Sequence, residues 1–328
     1  MISCIWKLSG SAGVSRMHNS SQPGGCELGP RPIDLHLSSL EKLGVDITED
    51  HGYLDCKLRH PLCGAVITLP FPSVGATENI ILAACTAKGD TVIHNPAREP
   101  EIEDLIGFLN KAGANISVRE GGSIYIRGVS GIGSAEYSII PDRIAAATYL
   151  CCAAITRGSI LLRGVMPGHM TAIFPILEEM GCTLRIGRGE IHLASPRRLK
   201  PLRLVRTMPY PGFPTDTQAP LMSVSCLSEG TSVFVENIFE SRYKHACELT
   251  RMGARISVEG RVAVVEGVGS LHGAAAVCTD LRGGASLVVA ALAANGQSKI
   301  SEITHIERGY QDFDKNLSSL GAKIDKGE

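Results

Sequence analysis

The chain has 328 residues, of which 44% are hydrophobic, and this is enough apolar material for about two globular domains. Its formal net charge of −1 provides no overall basic field, so nucleic acid and anionic membranes are not indicated as partners. The longest apolar segments, residues 144–155 and 285–294, are too short to cross a membrane, and we expect no membrane insertion.

Cysteine and histidine usage indicates the redox compartment and whether a metal site is expected. The 11 cysteines contain no CxxC pair, and the 10 histidines show neither HxxxH nor HExxH spacing. An odd cysteine total without a secretory signal favours a reducing compartment, so we expect a cytoplasmic protein without a disulfide scaffold. The histidine spacing predicts no metal site.

Two glycine signatures repeat along the chain with a period of about 70 residues. The first closes a leucine-rich helix, and its glycines are Gly44, Gly113, Gly181, Gly253 and Gly321. The second closes an alanine-rich helix before a β-branched run, and its glycines are Gly89, Gly158, Gly230 and Gly296. The alternation of strands with amphipathic helices predicts α/β units of βαβαββ type, with mostly parallel pairing and some antiparallel.

The unequal number of the two signatures predicts an incomplete first unit. One signature occurs five times and the other four times, so the front half of a unit has no counterpart at the start of the chain. A half unit would leave a sheet edge and an apolar face uncovered. We therefore expect the chain to be amino-terminally incomplete by at least half a unit, roughly 35 residues.

The starts of the alanine-rich helices also recur. Gly75, Asp216 and Arg282 each lie 14 residues before a glycine of the second signature, and residues 141–143 occupy the matching place in a fourth copy. Helix N-termini have unpaired N–H groups and a dipole that favour anions. The alternative is ordinary capping by Ser, Thr and Asp. If the units pack alike, these ends converge on one face that binds an anion.

Residues 23–32 carry a cysteine in a segment that cannot be a helix or a strand. Two adjacent glycines and three prolines exclude regular structure around Cys26. Arg31 lies five residues further on, and its cation could favour a thiolate. A reactive thiol and a simply buried cysteine both remain open, since free cysteine is among the most buried residue types.

From Pro23 to the C-terminus the chain resembles the UDP-N-acetylglucosamine 1-carboxyvinyltransferases, a family of enolpyruvyl transferases. The blocks that carry the resemblance are Gly24–His36, Ser73–Thr77, Ala97–Ile102, Pro141–Arg143, Phe213–Asp216, Thr279–Arg282 and His305–Tyr310. The resemblance implies an α/β fold of two similar domains, each of three βαβαββ units in an inside-out α/β barrel, with the first units incomplete. Residues 1–140 would form the incomplete first domain with the cysteine lid loop. Residues 141–328 would form the second domain, with Asp216 and Arg308.

The resemblance also implies catalytic roles. Cys26 matches the general acid that protonates the methylene carbon of phosphoenolpyruvate, and it matches the thiol that fosfomycin alkylates. Asp216 matches the carboxylate placed against the 3′-hydroxyl of the sugar, as general base or as the group that orients it. Arg31 and Arg308 match cations that bind the phosphate and carboxylate of phosphoenolpyruvate.

Further positions match substrate contacts of the family. The substrate-binding set is Arg31, Pro32, Ile33, Asp34, Leu35, Ser73, Val74, Gly75, Asp216, Ile238 and Arg308. Secondary candidates are Glu99, Arg143, Arg242, Asp280 and Arg282.

The implied function is transfer of the enolpyruvyl group from phosphoenolpyruvate to UDP-N-acetylglucosamine, the first committed step of peptidoglycan precursor synthesis. The chemistry needs an acid, a base near the hydroxyl and cations around a substrate of about three negative charges. It requires no metal and no organic cofactor, and we expect a monomer with only small-molecule partners.

Two alternatives stay open. One is a non-catalytic truncated homologue that binds the UDP-sugar weakly or is inactive, because Ile2 and Phe71 stand where the family carries basic residues. The other is the sister transferase that uses shikimate 3-phosphate, although the Gly-Gly-Cys loop belongs to the UDP-sugar branch.

Overall fold

A computed structural model describes residues 17–21, 33–51, 53–58 and 60–327. The described residues divide into two compact units, one up to Ile140 and the other from Pro141. Cys26, Arg31 and Pro32 lie outside the described residues, so the roles expected of them remain predictions. Within the described residues, no helix combines the length and apolar character needed to span a membrane.

The first unit opens with a small antiparallel sheet. Its elements are β1 (Met17–Ser21), α1 (Asp34–Lys42), β2 (Val45–Asp50) and β3 (Tyr53–Leu58). The strand order is β1-β3-β2. Gly44 separates α1 from β2 and has a φ of +100°, a left-handed conformation that costs glycine little.

The rest of the first unit is a complete βαβαββ repeat. Its elements are β4 (Val66–Thr68), α2 (Val74–Ala84), β5 (Asp90–His94), α3 (Pro100–Lys111), β6 (Asn115–Val118) and β7 (Ile124–Arg127). The sheet order is β4-β5-β7-β6, in which β4 and β5 are parallel and the remaining pairs antiparallel. The prediction of mostly parallel pairing is wrong here, because β6 and β7 follow each other as a hairpin and β7 also pairs antiparallel with β5.

The second unit begins with a repeat built from α4 (Arg143–Ile155), β8 (Ser159–Arg163), a 3-10 turn (Pro167–Met170), α5 (Phe174–Glu179), β9 (Thr183–Gly187) and β10 (Glu190–Ala194). Its sheet has the order β8-β10-β9 and is antiparallel.

The next repeat contains β11 (Val205–Arg206), α6 (Thr215–Ser225), β12 (Thr231–Val235), α7 (His245–Arg251), β13 (Arg255–Glu259) and β14 (Val262–Glu266). Its sheet order, β11-β12-β14-β13, matches that of the complete repeat in the first unit. β11 and β12 are parallel, as β4 and β5 are.

The last repeat contains β15 (Leu271–His272), β16 (Ala275–Val277), α8 (Leu281–Ala291), β17 (Ala294–Asn295), β18 (Lys299–Ser301), α9 (Thr304–Glu307) and α10 (Phe313–Ser319). The pairs β15 with β17 and β16 with β18 are parallel. The predicted α/β fold of repeated units is thus confirmed.

The glycines of the first signature behave as predicted, since all five have φ between +93° and +104°. The second signature is wrong in detail. Gly89 and Gly230 lie in the turn just before a strand rather than at the helix end. Next to Gly158, the residue in the left-handed conformation is Arg157, with a φ of +58°. Glycine suits the turns at Gly89 and Gly230 because its φ is positive there, +92° at Gly89 and +131° at Gly230.

Each unit has its own hydrophobic core. In the second unit α4, α6 and α8 pack against one another. Small buried side chains such as Ala147, Ala219 and Ala290 let these helices approach closely. The close packing brings the start of α8 near the start of α6, where Arg282 Nη2 lies 3.3 Å from Asp216 Oδ2.

Candidate functional site

The N-termini of α4 and α8 are capped by aspartates. Asp142 accepts hydrogen bonds from Ile144 N–H at 2.8 Å and Ala145 N–H at 2.9 Å. Asp280 Oδ1 accepts from Arg282 N–H at 3.1 Å and Gly283 N–H at 2.9 Å. Ordinary capping, the alternative for these positions, therefore holds for both helices.

The start of α6 is built differently, because its N-cap Pro214 supplies no side-chain hydrogen bond. Asp216, in the first turn, is held by two arginines. Arg242 Nη2 lies 2.8 Å from Asp216 Oδ1, and Arg282 Nη2 lies 3.3 Å from Oδ2. The arginine side chains are only 3% and 11% exposed, whereas that of Asp216 is 39% exposed. A carboxylate is thus fixed in orientation while solvent still reaches it.

The same arginines keep donors that have no partner within the described part of the chain. These buried atoms are Nε of Arg242 and both Nε and Nη1 of Arg282. Burial lowers the pKa of Arg282, but Tyr310 and Asp216 outweigh it and hold the pKa above its ordinary value. Because unpaired buried guanidinium donors are costly, this cluster favours an anionic ligand.

His245 and Asp280 lie behind the arginines. His245 is 2% exposed, and burial lowers its pKa to about 4, with Asp280 opposing that effect. The imidazole is therefore neutral near pH 7. Both of its ring nitrogens, and Asp280 Oδ2, lack partners among the residues that the structure describes.

Arg308 follows α9 and is exposed. Two residues later Tyr310 is buried, and Arg282 Cζ lies 5.2 Å from its ring centroid. The Tyr310 hydroxyl is 2.9 Å from Thr148 Oγ1 of α4. The chain segment that carries Arg308 is therefore anchored beside the arginine cluster by its tyrosine.

A cavity of about 470 Å³ opens along the same segment. Its lining residues are Asp142, Ala145, Tyr149, Gly309, Tyr310, Gln311, Asp312 and Asn316. Arg143, next to Asp142, is 9% exposed, and its guanidinium carbon lies 5.6 Å from the Tyr210 ring centroid. In the second unit the N-termini of α4 and α8 are thus capped by aspartates, while the buried arginines lie at the start of α6 and a cavity opens beside Asp142; binding of an anion at this face stays a prediction.

The first unit brings a separate set of predicted residues together. Ser73 is the N-cap of α2, where its Oγ accepts from Ala76 N–H at 3.3 Å, and Val74 and Gly75 form the first turn. A Cβ added to Gly75 would lie 3.0 Å from His36 Cε1.

The other predicted contacts of this unit lie on α1 and at α3. Ile33 is the N-cap of α1, and Asp34 and Leu35 begin that helix, which contacts α2. Asn79 Nδ2 lies 2.5 Å from His36 Nδ1 and joins the two helices. Glu99 is the N-cap of α3. The segments 33–35 and 73–75 therefore belong to one helix pair.

Ile238 lies in the turn after β12, where its N–H donates to Glu236 Oε1 at 2.8 Å. Glu236 also accepts from Thr215, the neighbour of Asp216. Sequence reasoning missed Glu236, His245 and the anchoring role of Tyr310. A buried polar side chain leaves no periodic signal, although Tyr310 ends one of the blocks quoted for the family.

Comparison with known proteins gives consistent findings. A family model described as EPSP synthase (3-phosphoshikimate 1-carboxyvinyltransferase) matches residues 8–317. UDP-N-acetylglucosamine 1-carboxyvinyltransferase 1 of Symbiobacterium thermophilum is 52% identical over 93% of this chain and 69% of its own length. UDP-N-acetylglucosamine 1-carboxyvinyltransferase 2 of Caldanaerobacter subterraneus subsp. tengcongensis is 50% identical over 93% of this chain and 73% of its own length.

Solved structures agree in fold. The enolpyruvyl transferase NikO from Streptomyces tendae is 25% identical, with a TM-score of 0.83 over 94% of this chain and 74% of that one. EPSP synthase from Acinetobacter baumannii is 22% identical, with a TM-score of 0.68 over 94% of this chain and 75% of that one.

Proposed function

The chain belongs to the enolpyruvyl (carboxyvinyl) transferase family, and from this we propose that it transfers the enolpyruvyl group of phosphoenolpyruvate to the 3′-hydroxyl of UDP-N-acetylglucosamine. Phosphate is the second product. The single observation that supports this most directly is the carboxylate of Asp216, oriented by Arg242 and Arg282 yet open to solvent.

The proposed reaction is addition followed by elimination. The methylene carbon of phosphoenolpyruvate takes a proton, and the sugar hydroxyl forms a C–O bond to the neighbouring carbon while losing its own proton. Loss of a proton from the former methylene carbon then restores the double bond as the C–O bond to phosphate breaks. Such a path needs a group that accepts a hydrogen bond from the hydroxyl, and we assign this task to Asp216.

Cations are the second requirement, because phosphoenolpyruvate carries a carboxylate and a phosphate. The unpaired N–H donors of Arg242 and Arg282 supply charge and geometry for an anion. Arg308 is exposed on the neighbouring segment, and we propose that it binds the same substrate. For Cys26 we propose the role of the acid that protonates carbon, and for Arg31 a second cation for phosphoenolpyruvate.

For the UDP-sugar we propose contacts with residues 31–35, Ser73 to Gly75, Asp216 and Ile238. The shared name of the relatives supports this acceptor over shikimate 3-phosphate, and it supports an enzyme over a non-catalytic homologue. We further propose that the product enters peptidoglycan precursor synthesis in the cytoplasm and that the chain works as a monomer.

The test is release of phosphate from phosphoenolpyruvate, measured with UDP-N-acetylglucosamine, with 3-phosphoshikimate and with no acceptor. We expect release only with the UDP-sugar. Asp216→Asn keeps the size of the side chain and should lower kcat by about 100-fold or more. Asp90→Asn, which alters an exposed carboxylate paired with Arg127 in the first unit, is the matched control. Release that does not depend on the UDP-sugar would contradict the proposal.

A further inference from the structure

Glu236 is a buried carboxylate directly after β12 that none of the roles above uses. It is 1% exposed. Burying a carboxylate is costly unless hydrogen bonds compensate for the lost hydration, so the hydrogen-bond partners of Glu236 decide whether it can be accommodated. Its partners are neutral donors, and they come from three segments: Thr207, Thr215 and the turn at residues 238–239.

Four donors surround this carboxylate. Oε1 accepts from Thr207 Oγ1 at 2.9 Å, from Ile238 N–H at 2.8 Å and from Phe239 N–H at 3.1 Å. Oε2 accepts from Thr215 Oγ1 at 2.9 Å. One oxygen therefore fixes the turn at Ile238, while the other fixes the first residue of α6, next to Asp216.

The sister repeats show that the fold itself does not need this arrangement. In three repeats the same backbone hydrogen bond lies just beyond the pair of parallel strands. The donors are the N–H groups of Leu69, Thr207 and Cys278, and the acceptors are the carbonyls of His94, Val235 and Ser301, each at 3.0 Å. The residues that follow the acceptors are Asn95, Glu236 and Glu302. These three positions are thus structurally equivalent.

The equivalent residues differ in conformation. Asn95 and Glu302 have φ of +53° and +57° and are exposed, whereas Glu236 is buried and is absent from the positive-φ residues. Glu302 is itself a glutamate, so residue type alone does not turn the side chain inward. In the other two repeats the partner position holds Leu69 or Cys278, and only at Thr207 does it offer a hydroxyl.

We propose that Glu236 is a positioning residue for the UDP-sugar, which it serves by holding the Ile238 turn and the start of α6 at a fixed separation. This inference rests on the function proposed above. Asp216 and Ile238 can engage one ligand together only if the two segments that carry them keep this separation. Glu236 touches no substrate and acts through its hydrogen-bond partners.

The sharpest perturbation is Thr215→Val, which removes the donor to Oε2 and preserves the size of the side chain. We expect the KM and the Kd for UDP-N-acetylglucosamine to rise about 10-fold, equal to about 1.4 kcal/mol. The KM for phosphoenolpyruvate should stay within about twofold, because Thr215→Val keeps the backbone carbonyl that accepts from Arg242 Nη2 at 3.3 Å. Thr215→Ser retains the hydroxyl and should restore UDP-sugar binding. Glu236→Gln should shift the same constants in the same direction as Thr215→Val.

A matched control separates positioning from stability. Ser232 lies on the same strand, β12, and its buried hydroxyl accepts from Leu202 N–H at 2.9 Å. Ser232→Ala should lower the melting temperature and leave the UDP-sugar constants of the folded protein unchanged. A Thr215→Val protein that is folded by its thermal transition and binds UDP-sugar like the wild type would overturn the inference.

Binding is measured by calorimetry and does not depend on turnover. If the wild-type chain binds the UDP-sugar but releases no phosphate, the proposed function fails and the ratio of Kd values still decides the inference. If the wild type turns over normally and Thr215→Val is indistinguishable from it, only the inference fails. If no UDP-sugar binds at all, both are refuted.

Discussion

The contact between Tyr310 and Thr148 permits a directional prediction about stability. Thr148 Oγ1 lies 2.9 Å from Ile144 O, to which it donates, so its hydrogen is already used. The Tyr310 hydroxyl, 2.9 Å away, must therefore be the donor to Thr148. Both residues are buried, at 4% and 0% exposure. Removing the acceptor and removing the donor should consequently have different costs.

Thr148→Val leaves the tyrosine hydroxyl buried without an acceptor and should cost about 2 kcal/mol. Tyr310→Phe leaves Thr148 bonded to Ile144, also removes the hydroxyl that hydrogen-bonds Arg282, and should cost about 1 kcal/mol. For a unit of this size these values correspond to falls in melting temperature of about 4–8 °C and about 2–4 °C. The double variant should cost no more than Thr148→Val alone, because both partners are then apolar.

The assay is thermal unfolding followed by circular dichroism, with all three variants at one protein concentration. The reasoning is refuted if Tyr310→Phe is the more damaging change, or if the costs of the single variants add in the double variant.

Three further outcomes are expected. Fosfomycin should add its mass once to the wild-type chain and not to Cys26→Ala, as intact-mass measurement will show; equal labelling would contradict the assigned role. Gly267→Ala places a Cβ 1.7 Å from Ser228 O and should abolish soluble folded protein, whereas Gly131→Ala, with open space around it, should not. His245 has a pKa of about 4 in the folded protein and 6.5 in the unfolded chain. Between these values the unfolded chain binds the proton first, so the free energy of unfolding is highest above pH 6.5 and decreases as pH falls towards 4. His245→Asn should therefore weaken the pH dependence of unfolding in that window, and unchanged dependence would refute the assignment.

Much of the fold could be predicted because its signals are periodic. The left-handed glycines after the leucine-rich helices follow from a backbone requirement that few other residues meet. The second signature was harder to place, because its glycines lie in the turn before the next strand and not at the helix end. Before Gly158 the left-handed residue is Arg157.

The repeat predicted the helix ends at Asp216 and Arg282, because they recur at one position of the units. The role of Asp216, and residues such as Arg308 and Ile238, came from the family resemblance. Glu236 and His245 were not predicted, because burial is decided by tertiary packing and a single glutamate or histidine gives no local indication of it. Glu302 occupies the position equivalent to Glu236 in the last repeat and is exposed, so the residue type alone does not predict burial.

The pair of arginines on Asp216 also has a consequence for inhibitor chemistry. A ligand that presents an ammonium group to this carboxylate would bring it close to two guanidinium groups, with Arg282 Nη2 at 3.3 Å from Oδ2. Repulsion from these cations offsets the attraction of the carboxylate. A neutral hydroxyl or amide N–H can donate to Asp216 without that cost, and an adjacent anionic group would meet the unpaired donors of Arg242 and Arg282. Selective inhibitors should therefore combine an uncharged donor with a neighbouring acid.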